Sequence, residues 1–147
     1  MKRAIDIAGA AAGLALLWPV VAVAAALMRL RMGGPVLFRQ TRPGLHGDPF
    51  EVLKFRSMRT DAERGGEPRF AEHDDARATS VGRVLRRLRI DELPQLVNVL
   101  RGQMSMVGPR PERPCFVSRF TEEVPFYAER HRIKPGLTGW AQLNYPY

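Results

Sequence analysis

The chain of 147 residues has one cysteine, Cys115, three histidines, and only 15 acidic residues against 23 lysines and arginines. A lone cysteine excludes an internal disulfide, has no ligand-spaced companion for a zinc site, and suits a reducing compartment. It is expected as a buried structural thiol. His46, His73 and His131 are scattered without metal-ligand spacing and read as surface or capping residues. Aromatics make up 8% of the chain and do not alternate with basic residues as a stacking platform, so no nucleic-acid partner is expected. The shortage of acids leaves a formal charge of +8, which calls for an anionic partner: nucleic acid, phospholipid or a phosphorylated small molecule. Charge alone does not choose among these. The length suits one domain, residues 1–147, and is too short for two.

Charge is missing altogether from Ile7 to Met28, a run about 33 Å long if wholly helical. Three readings compete: a cleaved signal peptide, a spanning helix, and a segment that enters one leaflet and returns. The basic Lys2-Arg3 head and the Ala22-Val23-Ala24 triplet favour the first, but the apolar run exceeds a usual signal core. Pro19, near the midpoint, removes one backbone hydrogen bond and clashes with the carbonyl four residues back. Lys2 and Arg3 precede the run while Arg29 and Arg31 follow it, so no asymmetry of positive charge drives either end across. A helix broken at Trp18-Pro19 that dips into the membrane and comes back satisfies both facts, provided the freed backbone groups find partners.

After Gly33-Gly34-Pro35, the segments VLFRQ (36–40) and FEVLKFRSM (50–58) flank a turn-rich stretch and predict a β-hairpin near 36–58. Residues 59–80 are polar, contain Gly65-Gly66 and read as a mobile surface loop. Val81, Val84, Leu85 and Leu88 then recur at helical spacing, with Arg83, Arg86, Arg87 and Arg89 on the remaining surface. Those arginines read equally as a solvated face, as contacts for anionic headgroups, or as phosphate ligands. A second helix follows, with Leu93, Leu96, Val97 and Leu100 in the same pattern and Gly102 placed to stop it.

That second helix begins with two adjacent carboxylates, Asp91 near the N-cap and Glu92 just inside, ahead of Pro94. Helix N-termini favour acids by about 0.3–1 kcal/mol each, and this alone explains one of them. A second gains little and adds repulsion, so the pair also suggests chemistry: holding a divalent cation or attacking an electrophile. Downstream, Gly108, Pro109 and Pro111 predict a rigid turn that fixes Arg110 for phosphate recognition. Residues 116–133 look helical with an interruption at Pro125, and Gly136, Gly139 and Trp140 suggest a tight loop presenting an indole for packing or for a membrane interface.

Taken in order, the basic head with its Pro-broken apolar helix, GPVLFRQTRPG, FEVLKFRSM, RIDELPQLVNVLRGQMSMVGPRP and IKPGLTGWAQLNYPY closely resemble the bacterial sugar transferase family. These are monotopic polyprenyl-phosphate phosphoglycosyl transferases, and RPERP followed by VPFYAERH resembles the exopolysaccharide branch. The resemblance implies an α+β, mainly helical fold. Residues 1–31 would form a re-entrant anchor and 32–147 a catalytic part on the cytoplasmic face of the inner membrane, with amphipathic helices at the interface. It implies that Asp91 is the nucleophile towards a UDP-sugar, that Glu92 completes the dyad, and that Mg2+ sits near both. By the same resemblance Lys54, Arg86 and Arg110 contact phosphates, and undecaprenyl phosphate accepts the sugar phosphate with release of UMP. Trp18 stands where the family commonly has serine before the proline. The family also continues past the NYPY-like stretch, so a shortened C-terminus is expected. The physics agrees: a carboxylate attacking a diphosphate needs cations to quench the repulsion, and the arginine excess supplies them. A rival reading is a membrane-tethered basic adaptor that binds anionic lipid or nucleic acid without catalysis.

Overall fold

The computed structural model describes residues 1–62 and 75–144; most of the loop expected at 59–80, with Gly65-Gly66 and His73, lies outside them. The protein mixes helix and strand, as expected. Helix α1 (Lys2–Met32) is followed by strands β1 (Leu37–Pro43) and β2 (Pro49–Phe55), then by helices α2 (Ser80–Arg87) and α3 (Gln95–Leu100). Strand β3 (Ser105–Val107), helix α4 (Pro114–Glu123), strand β4 (Gly136–Thr138) and helix α5 (Trp140–Asn144) complete the order.

The predicted hairpin is present. Strands β1 and β2 pair antiparallel from Leu37 opposite Phe55 to Pro43 opposite Pro49, and a 3₁₀ turn at Leu45–Gly47 connects them. Strand β2 is buried on both faces, so it belongs to two hydrophobic clusters. Phe50 and Val52 pack with Ala10, Leu96, Val99 and Met104. Phe55 packs with Ala24, Met28 and Leu85. Helix α1 contributes to both clusters and therefore lies against the body at each end.

The expected interruption at Trp18-Pro19 is corrected: α1 remains helical from Lys2 to Met32, with Pro19 inside it. An interior proline costs one backbone hydrogen bond and a clash with the carbonyl four residues back, and here both helix ends are fastened independently of it. At the start, Asp6 accepts from Ser105 Oγ and the Met106 N–H, each at 2.9 Å. Arg3 donates to the Val99 and Leu100 carbonyls at 2.6 and 2.7 Å, placing a cation on the open end of α3. At the far end the buried Arg56 donates to the carbonyls of Met32, Gly33 and Gly34. Between these ties Leu16, Trp18, Val20 and Val23 are exposed. Among the described residues α1 is the one helix long and apolar enough to cross a membrane.

Three further expectations change. The apolar row of α2 splits, because Leu85 enters the core while Val84 and Leu88 stay exposed beside the arginines. The dyad does not cap an α-helix: Ile90–Glu92 form a 3₁₀ turn, entered through Arg89 at φ +57°, and α3 starts only at Gln95 with Pro94 as its N-cap. Pro94 has helical φ and ψ of −59° and −19°, and its missing N–H is tolerated at a helix start. Cys115 is exposed, since α4 turns the next residue, Phe116, inward instead. Other expectations hold. Gly102, at φ +81°, ends α3, and Val124 to Phe126 separate α4 from a 3₁₀ segment at Tyr127–Arg132.

Candidate active site

The two carboxylates of the 3₁₀ turn are both only 8% exposed, yet their surroundings differ sharply. On β2 the alternation of side chains puts Lys54 on the same face as Phe50 and Val52, at the edge of the core. Its ammonium meets Glu92 Oε1 at 2.9 Å. From the other side Arg110 Nη2 donates to the same oxygen at 2.7 Å, and Nη1 reaches Oε2 at 3.4 Å. Burial alone would raise the Glu92 pKa, but Lys54 and Arg110 outweigh it and hold this carboxyl down at about 2. Burial, with help from Arg110, in turn draws the Lys54 ammonium below its ordinary value against the pull of Glu92.

Asp91 is displaced the other way. Burial, reinforced by the charge of Glu92, pushes its pKa up to about 6 against the opposing charges of Lys54, Arg86 and Arg89. Its Oδ1 is buried and accepts no hydrogen bond from the described residues. The two adjacent acids are thus set apart: Glu92 is held in ion pairs, while Asp91 has a raised pKa, the kind of divergence that marks a candidate site.

Of the residues singled out in the sequence, Lys54 and Arg110 each touch Glu92, and Arg86 acts on Asp91 through its charge from α2. Trp18 and Pro19 lie apart from this cluster on the exposed middle of α1. Trp140 is 80% exposed on α5, which fits an interface role rather than core packing. Of the remaining histidines, His46 is exposed in the hairpin turn, and His131 is half-buried with its pKa lowered by burial and by Arg130.

Sequence reasoning missed the residues that hold this geometry. Asn98, fully buried on α3, accepts from the Leu53 N–H at 3.0 Å and donates to the Glu51 carbonyl at 2.7 Å and to Gln103 Oε1 at 2.8 Å. It splices α3 to the strand that carries Lys54. Replacing Asn98 with leucine leaves the Glu51 and Leu53 backbone groups unpaired and is expected to lower stability by about 2 kcal/mol, read from denaturant midpoints. The loop bearing Arg110 is held by a parallel pairing of β3 with β4. There Gly136 and Gly139 come so close that a Cβ on either would sit 2.1 Å and 2.3 Å from the Gly108 backbone. The glycines of the C-terminal motif are thus spacers behind the loop that carries Arg110, a role that spacing in the sequence does not disclose.

A buried acid poised near neutral pH, an adjacent acid locked by lysine and arginine, and an apolar helix on the same body suit chemistry on an anionic substrate at a membrane. The profile of the bacterial sugar transferase family matches residues 1–147. The chain is 47% identical over 147 residues to UDP-N-acetylgalactosamine-undecaprenyl-phosphate N-acetylgalactosaminephosphotransferase of Aeromonas hydrophila, covering 100% of this chain and 34% of that protein. It is 49% identical over 143 residues to UDP-glucose:undecaprenyl-phosphate glucose-1-phosphate transferase of Caulobacter vibrioides, covering 97% and 53%. With the enzyme of that name from Escherichia coli K12 it shares 46% over 144 residues, covering 98% and 31%. The chain thus spans between about a third and about half the length of these curated relatives. Motif order, site geometry and a match from end to end agree that the chain belongs to the bacterial sugar transferase family.

Proposed function

We propose that the protein is a polyprenyl-phosphate phosphoglycosyl transferase. It moves a sugar phosphate from a UDP-sugar to undecaprenyl phosphate through a covalent intermediate on Asp91, as the first membrane step of exopolysaccharide synthesis. The observation that carries this reading is the divergence of the dyad, with Glu92 clamped by Lys54 and Arg110 while Asp91 keeps a buried oxygen without a hydrogen-bond partner among the described residues. In the first half-reaction an Asp91 oxygen bonds to the phosphorus next to the sugar. The bond from that phosphorus to the bridging oxygen breaks, and UMP leaves with it. In the second, an oxygen of the lipid phosphate attacks the same phosphorus and the aspartate is released, leaving a polyprenyl diphosphate sugar. Lys54, Arg86 and Arg110 neutralise phosphoryl oxygens in both halves. Dividing the transfer lets the soluble and the lipid substrate use one site in turn.

Magnesium fits this site. The described residues contain no cluster of three or more metal-ligating side chains, and magnesium is commonly held by one or two carboxylates together with substrate phosphates. Asp91 and Glu92 would hold it, Asp91 through its unpartnered oxygen and Glu92 by exchange with Lys54 or Arg110. When bound, the ion offsets charge on the diphosphate.

The test is intact-mass detection of a phosphosugar adduct on Asp91 after incubation with magnesium and a UDP-sugar, and its disappearance when undecaprenyl phosphate is added. Because Asp91 must be ionised to attack and burial pushes its pKa up to about 6 in the metal-free protein, kcat/KM is expected to fall on the acid side, with a limb that moves to lower pH as magnesium is raised, since a dication beside the carboxylate favours its charged form. An adduct on another side chain removes Asp91 from the reaction.

We read residues 1–147 as one catalytic unit, with residues 1–31 entering one leaflet of the inner membrane and the remainder on its cytoplasmic face. Fastening of both ends of α1 to the same polar body supports this, since a spanning helix would carry one set of these ties to the far side of the bilayer. The exposed Val84, Leu88 and Trp140 supply further apolar groups for the interface. Single cysteines placed at Lys2 and at Arg31 in a cysteine-free background are expected to react with an impermeant maleimide from the cytoplasmic side alone. Labelling of the two from opposite sides means a spanning helix.

A further inference from the structure

The side chain of Arg110 projects from a loop, Pro109-Arg110-Pro111, in which two of three residues lack a backbone N–H. Such a loop is held chiefly through its carbonyls, and here all three accept. The Pro109 carbonyl takes the Gly136 N–H at 2.9 Å, the Arg110 carbonyl takes Nη2 of Arg130, and the Pro111 carbonyl takes Nη1 of Arg42 at 2.9 Å. The two guanidinium groups are themselves fixed. Arg130 lies over the Tyr127 ring, 4.6 Å from its centroid, and donates to the Tyr127 hydroxyl; that ring packs on Phe120 of α4. Arg42, on β1, holds Gln40 Oε1 with Nε and Nη2 and lies 3.8 Å from Glu112. Charge-assisted bonds to carbonyls are stronger than neutral ones, and the planar fork of arginine fixes direction as well as distance.

We infer that Arg42 and Arg130 are positioning residues that set the Arg110 guanidinium, working through the Pro111 and Arg110 carbonyls respectively. They connect the hairpin and the α4 region to the dyad without touching it. The assignment rests on Arg110 acting on substrate phosphate as proposed above.

The experiment is a double-mutant cycle on the full chain in membranes, comparing Arg130→Ala, Arg110→Ala and the double variant. Each is read twice: by the rate of adduct formation with a UDP-sugar and magnesium, and by calorimetric affinity for that UDP-sugar. Arg130→Ala is expected to slow adduct formation at least tenfold and to weaken binding, and Arg130→Lys to recover part of the loss. In the double variant both readouts are expected to match Arg110→Ala within about twofold, because a residue that works through Arg110 has nothing left to position. Losses that multiply, or an Arg130→Ala variant as fast as the unmutated chain, overturn the assignment. If Arg130→Ala fails to fold, the same cycle with Arg42→Ala decides by the same criteria. An unmutated chain that binds the UDP-sugar but forms no adduct sinks the covalent reading alone, and the binding cycle still judges the positioning role. A chain that neither binds nor reacts sinks both.

Discussion

Replacing Asp91 with asparagine is expected to abolish adduct formation and UMP release, by at least about 1000-fold, while making the protein more stable at neutral pH. The first effect follows from removing the attacking carboxylate. The second follows from where the fold puts it. Folding moves the Asp91 pKa from an ordinary 3.8 to about 6, chiefly by burial and then by the charge of Glu92. The ionised form is therefore the one the fold penalises. Below about pH 4 Asp91 is protonated in both states and the penalty is absent; it grows between about pH 4 and 6 and is complete above. The displacement corresponds to about 3 kcal/mol. The asparagine amide still needs partners where Oδ1 has none, so a net gain of about 1–2 kcal/mol is expected at pH 7.5, a rise in Tm of roughly 3–6 °C. The gain should shrink as the pH is lowered towards 4. Full turnover in this variant, or a lower Tm than the unmutated chain at pH 7.5, contradicts the assignment.

The neighbouring substitution, Glu92→Gln, is expected to do the reverse to stability. Folding lowers the Glu92 pKa from 4.5 to about 2, because Lys54 and Arg110 overcome the cost of burial. This contribution is fully present above about pH 4.5 and is lost as the pH falls through about 2. A glutamine leaves two part-buried cations facing a neutral amide, and the expected loss is about 3 kcal/mol, a fall in Tm of roughly 6–12 °C. Activity should drop by about 100-fold, since Arg110 and Lys54 lose the group that holds them between turnovers. The residual activity carries a second signature. Glu92 is the second cause of the raised Asp91 pKa, so at equal magnesium the acid limb of kcat/KM should lie at lower pH than in the unmutated chain. A limb that stays in place shows that Glu92 does not set the charge of Asp91. Opposite signs of stability change for two adjacent acids discriminate this site from a pair of helix caps, which would both lose stability.

Much of this was legible in the chain, and the reasons differ from element to element. The hairpin was visible because its strands alternate and its turn is rich in Gly, Pro and Asp. The dyad and Arg110 stood out because two acids in a basic chain, and an arginine between prolines, are locally unusual. Two kinds of information were hidden. Strands β3 and β4 are three residues each and pair across some thirty intervening positions, too short for any periodic signal. Asn98 is a polar residue inside an apolar stretch and Arg56 one basic residue among several, and nothing local announces that they satisfy the backbone of distant segments. The split row of α2 failed for a different cause. Spacing defines a face, but whether water, lipid or protein lies opposite depends on the tertiary arrangement.

The ties at the two ends of α1 bear on how such a chain is handled. Arg3 and Asp6 satisfy backbone and hydroxyl groups of the segment from Val99 to Met106, while Arg56 finds its acceptors at Met32 to Gly34. Trimming the apolar segment to obtain a water-soluble version would thus strip Ala10 and Leu14 from one hydrophobic cluster and half of the residues from the other, together with these ties. Its expected product is an aggregate, so solubilisation has to proceed by supplying detergent or lipid around an intact polypeptide.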